Sequence, residues 1–136
     1  MPKHIVVVED DANLLQILTK LLKKEGYLVT SAADGQAGLV AAMRDRPDLL
    51  ILDVNLPVMD GFEVCERLKQ DPTTKSIPVI IMTAAYDTPE SAKKGLALGA
   101  AEYIIKPFMH LPFLFTVKRI LGDVATKASG DDESAS

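Results

Sequence analysis

Five short apolar runs, spaced almost evenly, constrain this chain more than any other feature. They are Ile5–Val8, Tyr27–Val29, Leu49–Leu52, Val79–Met82 and Tyr103–Ile105, so successive starts lie 22, 22, 30 and 24 residues apart. Several are rich in valine and isoleucine and lack polar alternation, as strands buried on both faces do. Each interval has room for one helix. Strand–helix alternation at this pitch implies a parallel sheet with right-handed crossovers. Five strands suit a doubly wound sheet in the order 2-1-3-4-5, whose ligand crevice opens at the carboxyl ends of strands 1 and 3. The expected fold class is therefore α/β, a three-layer sandwich with helices on both faces of a five-stranded parallel sheet.

The segments between the runs carry helix signals. Leu14, Leu15, Ile17, Leu18, Leu21 and Leu22 recur at helical spacing, and Lys23-Lys24-Glu25 then leads to Gly26, a helix stop. Asp60-Gly61-Phe62-Glu63 reads as a capping box opening the helix that carries Phe62, Val64 and Leu68. Thr88-Pro89-Glu90 offers a cap, a proline at the first helical position and an acid in the first turn. A last helix, begun by Pro112, has Phe113, Val117, Ile120 and Leu121 as its apolar stripe. Met109, Leu111, Leu114 and Phe115 are further large apolar side chains that cannot all face the sheet. The surplus is expected either as a broadened stripe with scattered surface residues or as a docking or dimerisation patch.

Composition sets the outer limits. At 136 residues and 48% hydrophobic, the chain has the length of one domain and can bury a core without a metal or disulfide staple. The single cysteine, Cys65, excludes an internal disulfide, and beside Val64 and Leu68 it reads as a packing residue. A net charge of −4 argues against a broad nucleic-acid face. No run approaches the ~18 apolar residues of a membrane span, and Ile5–Val8 is too short for a signal-peptide core. A soluble, cytoplasmic protein is expected. Lys127 to Ser136 contain no large apolar side chain and read as a disordered acidic tail.

Chemistry enters where the strands end. Glu9, Asp10 and Asp11 follow strand 1, Asp53 follows strand 3, Thr83 follows strand 4, and Lys106-Pro107 follows strand 5. A parallel sheet gathers all of these on one edge. The acidic triplet alone would pass as a solvated turn, but Asp53 is entered directly from the apolar Leu49–Leu52. Clustered carboxylates repel and need a cation to coexist. Oxygen ligands, few in number, describe magnesium rather than zinc or a softer metal. His4 and His110 lie away from these ends and read as surface residues. Magnesium beside a carboxylate, with a lysine and a hydroxyl donor, is the equipment of phosphoryl transfer to an aspartate.

At residues 3 to 122 the chain resembles a response-regulator receiver domain of two-component systems, akin to the chemotaxis regulators with their flavodoxin-like fold. Four motifs carry the resemblance in order: Val7-Val8-Glu9-Asp10-Asp11, the segment Ile51 to Gly61 around Asp53, Ile81-Met82-Thr83-Ala84, and Tyr103-Ile104-Ile105-Lys106-Pro107-Phe108. The resemblance implies that Asp53 accepts a phosphoryl group from a histidine kinase or phosphotransfer protein. It implies Mg2+, for which Mn2+ could substitute, bound by Asp10, Asp53 and the backbone carbonyl of Asn55, with Glu9 acting through water. Asp11 falls beyond the family's acidic pair and is expected to be peripheral. Thr83 and Lys106 would contact the phosphoryl group, Tyr103 would be the rotameric switch, and Lys106-Pro107 would be cis. Asn55 and Ala85, two residues beyond the aspartate and the threonine, would tune phosphate lifetime, and the small Ala85 implies a moderate one.

The implied domain plan is a receiver over 1–122 and an acidic tail over 123–136. The implied output is the helix 4–strand 5–helix 5 face, offered to a downstream protein or a second copy, with no direct nucleic-acid or membrane contact. The chain would be a signalling domain rather than an enzyme, with only self-phosphorylation and self-dephosphorylation chemistry. Two alternatives stay open. One is a magnesium-dependent phosphatase using Asp53 as nucleophile, although that class usually wants an aspartate where Asn55 stands. The other is a binding scaffold that no longer signals by phosphate, which the intact Asp10, Asp53, Thr83 and Lys106 set argues against.

Overall fold

Apolar strands alternate with amphipathic helices along the whole described chain. A computed structural model describes residues 2–84 and 89–123. Ala85, Thr88 and the tail from residue 124 onward lie outside the described residues. In chain order the elements are β1 (His4–Val8), α1 (Ala12–Lys24), β2 (Leu28–Ala32), α2 (Gly35–Asp45) and β3 (Leu49–Asp53). They continue as α3 (Gly61–Gln70), β4 (Val79–Ala84), α4 (Pro89–Ala97), β5 (Glu102–Lys106) and α5 (His110–Leu121). The five strands form one sheet in the order β2-β1-β3-β4-β5, and every neighbouring pair is parallel. This is the expected order.

Two apolar cores flank the sheet, and the period-2 geometry of the strands divides residues between them. Val6, Val8, Leu50, Leu52, Val79 and Ile81 pack with Leu39 and Ala42 of α2 and with Val64 and Leu68 of α3. Ile5, Val7, Leu49, Ile51, Ile80 and Met82 pack with Leu18 and Leu22 of α1 and with Phe113, Val117 and Leu121 of α5. Ile5–Val8 and Leu49–Leu52 are wholly inaccessible, which is why those runs show no polar alternation. Burying each such side chain contributes roughly 1.5–3 kcal/mol before the entropy of ordering is counted.

Local signals set the helix ends. The Asp11 carboxylate accepts hydrogen bonds from the Asn13 and Leu14 amides (2.9 and 3.3 Å) and so caps α1. Asp34 caps α2 by accepting from the Ala37 amide, and Asp60 caps α3 by accepting from Glu63. Gly26, two residues past the end of α1, has φ of +93°, the left-handed backbone that a side chain disfavours.

The last helix departs from expectation at its start. α5 begins at His110 rather than Pro112, with Met109 as its N-cap residue and no side-chain capping bond. Pro112 is tolerated as the third helical residue because an amide there has no acceptor within the helix. Leu114 is not part of the apolar surplus: it is buried beside Phe113 and Val117 because the stripe is wide enough to include it. Met109, Leu111 and Phe115 are exposed. His4 is only partly exposed, its ring hydrogen-bonded to the Thr30 hydroxyl at 2.7 Å, whereas His110 is exposed as expected.

The two ends of the described residues meet at the amino end of the sheet. The Lys3 ammonium donates to the Leu121 carbonyl and lies 3.4 Å from the Asp123 carboxylate. The Tyr27 hydroxyl donates to the other Asp123 oxygen at 3.0 Å. Burial, and then this carboxylate, push the Tyr27 phenol well above its usual pKa.

Candidate functional site

Register places the reactive side chains. Val8 of β1 lies beside Leu52 of β3, so Glu9 and Asp53 emerge together at the carboxyl ends of adjacent strands. Asp53 pairs with Met82, which puts Thr83 one residue further along β4, and Ala84 pairs with Lys106 at the end of β5. Glu9, Asp53 and Thr83 are all buried, the two acids being 1% and 4% accessible. β3 delivers Asp53 on a stiff, inaccessible strand, and α3 starts against it. A Cβ on Gly61 would stand 2.2 Å from the Asp53 carbonyl oxygen, so only a glycine lets the helix approach this closely.

Lys106 ties the site together. Its ammonium donates to the Asp53 carboxylate at 2.6 Å and to Glu9 at 3.2 Å, reaching across from the strand before the cis Lys106-Pro107 bond. The other Asp53 oxygen accepts from the Asn55 amide at 3.1 Å, and Glu9 accepts from the Asp11 amide at 3.0 Å. Exposed Asp10 completes the acid set, and one carboxylate oxygen from each of Glu9, Asp10 and Asp53 lies within 4.8 Å of the others. Three carboxylates therefore face one ammonium.

The electrostatics follow from that imbalance. Burial pushes the Glu9 carboxyl up to about 7; the Asp11 amide opposes this, the Asp53 charge adds to it, and Lys106 opposes it again. Burial alone would lower the Lys106 ammonium, but the hydrogen bond and charge of Asp53, followed by Glu9, outweigh it and hold the ammonium above its usual value. An all-oxygen cluster with surplus negative charge suits a hard divalent cation such as Mg2+, and no nitrogen or sulfur ligand stands in the set. The donor chemistry therefore fits the expected metal.

Of the residues singled out in the sequence, Glu9, Asp10, Asp53 and Lys106 converge. Thr83 shares their edge, and Asn55 sits exposed two residues past Asp53. Tyr103, partly buried, lies instead within β5 opposite Ile81 and packs against the α2–α3 core. Two features went unread. Asp11 is the cap that orients α1, a role its place just before a helical run could have revealed. Val58, in the loop after Asp53, has φ of +72° and an 81% exposed side chain, and no sequence signal marks a β-branched residue for that backbone.

The model of the family described as "Response regulator receiver domain" matches residues 5–114. The chain belongs to the response-regulator receiver family. Among curated relatives, the response regulator PleD of Caulobacter vibrioides is 44% identical over 79% of this chain and 23% of its own length. The chain thus spans about a quarter of that relative. A crystal structure of a putative response regulator from Chloroflexus aurantiacus superposes with a TM-score of 0.84 at 36% identity, covering 90% of this chain and 99% of the other. The receiver domain of a sensor histidine kinase from Pseudomonas aeruginosa PAO1 superposes at 0.81 with 28% identity, over 90% of this chain and 99% of that one. That structure holds a magnesium ion coordinated in its active site cleft. This chain is thus a receiver domain of the two-component type, the reading drawn from its four motifs. Among the described residues, no helix is long and apolar enough to cross a membrane.

Proposed function

We propose that the receiver accepts a phosphoryl group on Asp53 from a phosphohistidine on a histidine kinase or phosphotransfer protein. An Asp53 oxygen attacks phosphorus, the P–N bond breaks, and its electron pair stays on the imidazole nitrogen, which regains a proton. Attack of water on the acyl phosphate later releases inorganic phosphate and restores the carboxylate. The observation that carries this reading is the 2.6 Å contact between Lys106 and a buried Asp53 at the end of β3. An ammonium held there offsets charge on the transferred oxygens, and the Thr83 hydroxyl would donate to one of them.

Asp10, Asp53 and the Asn55 carbonyl would hold Mg2+ directly, with Glu9 acting through water; Mn2+ should substitute. When bound, the cation supplies further neutralisation of phosphoryl charge. Residues 1–122 act as the receiver, and residues 123–136 form an acidic tail. The new charge of about −1.5 to −2 draws Thr83 and Lys106 toward it and turns Tyr103 inward. The α4–β5–α5 face then presents a changed surface to a downstream protein or a second copy. Asn55 and Ala85 tune how long the phosphoryl group lasts, and a moderate lifetime is expected. The domain signals rather than turning over an external substrate, and it acts in the cytoplasm.

The test is incubation with Mg2+ and acetyl phosphate, read by intact-protein mass. One phosphoryl group on the natural chain and none on Asp53→Asn is the expected result. No phosphoryl group on the natural chain overturns the proposal.

A further inference from the structure

Gly95 is an unusual choice for its place in α4. It lies inside a nine-residue helix, where glycine costs about 1 kcal/mol relative to alanine. It is buried, and its carbonyl accepts from the Ala100 amide at 3.1 Å as the helix turns into β5. A Cβ placed on it would stand 3.1 and 3.2 Å from Cδ1 and Cε1 of the Tyr103 ring and 3.3 Å from Cδ1 of Ile81. The Tyr103 ring therefore lies with one edge against the bare backbone of α4. Ile81, the partner of Tyr103 across the ladder, brings its Cδ1 to the same point.

We propose that Gly95 is the seat of the Tyr103 ring, a positioning residue that sets how much of the population holds the ring inward. This deepens the reading of Tyr103 as the switch and rests on it. β5 is an edge strand, so the ring has solvent as its alternative. With contacts of 3.1–3.3 Å, an added methyl makes the ring and Ile81 yield by a few tenths of an ångström, a cost borne by the inward ring and absent when it turns out. Gly95→Ala thus has two opposed effects. It strengthens α4 as a helix and weakens the inward state of Tyr103, so a residue placed only for helix packing predicts the first effect without the second.

The experiment uses the full chain labelled with fluorotyrosine, with the Tyr103 resonance assigned by its loss in Tyr103→Phe. Gly95→Ala should increase solvent exposure of that ring, read by a soluble paramagnetic quencher, and lower the inward population about fivefold. Beryllofluoride with Mg2+ should then move the resonance correspondingly less than in the natural chain. Asp53 should still take one phosphoryl group from acetyl phosphate, because Gly95 touches none of the acids. Adding Ile81→Val removes the Cδ1 that crowds the new methyl and should return the ring partly inward.

An unchanged ring exposure in Gly95→Ala, without metal or mimic, overturns the proposal. If beryllofluoride leaves Tyr103 unmoved in the natural chain while Gly95→Ala still exposes the ring, the switch reading fails and the seat stands. Should Gly95→Ala be too unstable to record, the urea midpoint in a Tyr103→Ala background decides. Gly95→Ala raises that midpoint if the ring is the obstacle and lowers it if it is not.

Discussion

At the amino end of the sheet, charges are matched and half in water: Lys3 with Asp123, Lys118 with Glu25, and Tyr27 donating to Asp123. At the carboxyl end, Glu9 and Asp53 are buried with Asp10 beside them, and Lys106 serves both buried acids. Exposed pairs of the first kind contribute about 0–1 kcal/mol each. Buried like charges of the second kind cost stability unless a cation joins them. The amino end is built for holding the fold, and the carboxyl end gives up stability to keep negative charge poised for ligands.

Lys106 carries the largest part of this difference between the two ends. Lys106→Met should destabilise the metal-free protein by about 2 kcal/mol, less than the roughly 3–5 of a fully buried pair because the lysine side chain is 22% exposed. Urea denaturation measures this, and Mg2+ should restore part of the loss. An unchanged midpoint would mean that the two ends do not differ as argued.

Glu9 sharpens the contrast through pH. Its folded carboxyl, raised from 4.5 to about 7, holds a proton that the unfolded chain has already released. Its contribution to stability is therefore full below pH 4.5 and is lost as the pH rises through about 7. Glu9→Gln should flatten that part of the metal-free stability–pH profile, and Mg2+ affinity of the natural chain should rise with pH across the same window. A profile identical in both proteins would remove Glu9 from the account.

Relief of the left-handed loop residue is a smaller effect. Val58→Asn should stabilise the protein by about 1 kcal/mol in a thermal melt, because asparagine tolerates this backbone better than a β-branched side chain. Smallest of all, Asp123→Ala should cost at most about 1 kcal/mol and speed amide exchange in the last turn of α5. Mg2+ binding should be untouched. Any effect on Mg2+ binding would show that the two ends are coupled.

Much of this was legible in the residues, and the parts that were not share a cause. β3 could be read because four apolar residues run into Asp53, and the acid cluster followed once parallel topology gathered the strand ends. Asp60 could be read as a cap because its acceptor bond closes within three residues. The start of α5 was missed because proline is tolerated throughout a first helical turn, so Pro112 does not mark the boundary by itself. Leu114 could not be assigned to core or surface because a stripe's width depends on how deeply its helix sinks into the core. The joining of Lys3, Tyr27 and Asp123 depends on residues far apart in the chain, which no local pattern encodes. Val58 runs against its own propensity, so sequence pattern points away from the conformation it takes.

The strand order carries one more consequence. Asp53 and Tyr103 lie on β3 and β5, two strands apart and so roughly 10 Å across the sheet. Under the proposed function, a message between them would travel crosswise, over the rungs of the ladder rather than along a strand, with β4 the plank between. Ile81 and Thr83 sit on that plank, facing Tyr103 and Ile105 in register. Small changes in the bulk of β4 side chains should therefore alter how faithfully one edge of the sheet hears the other, even where every acid stays in place.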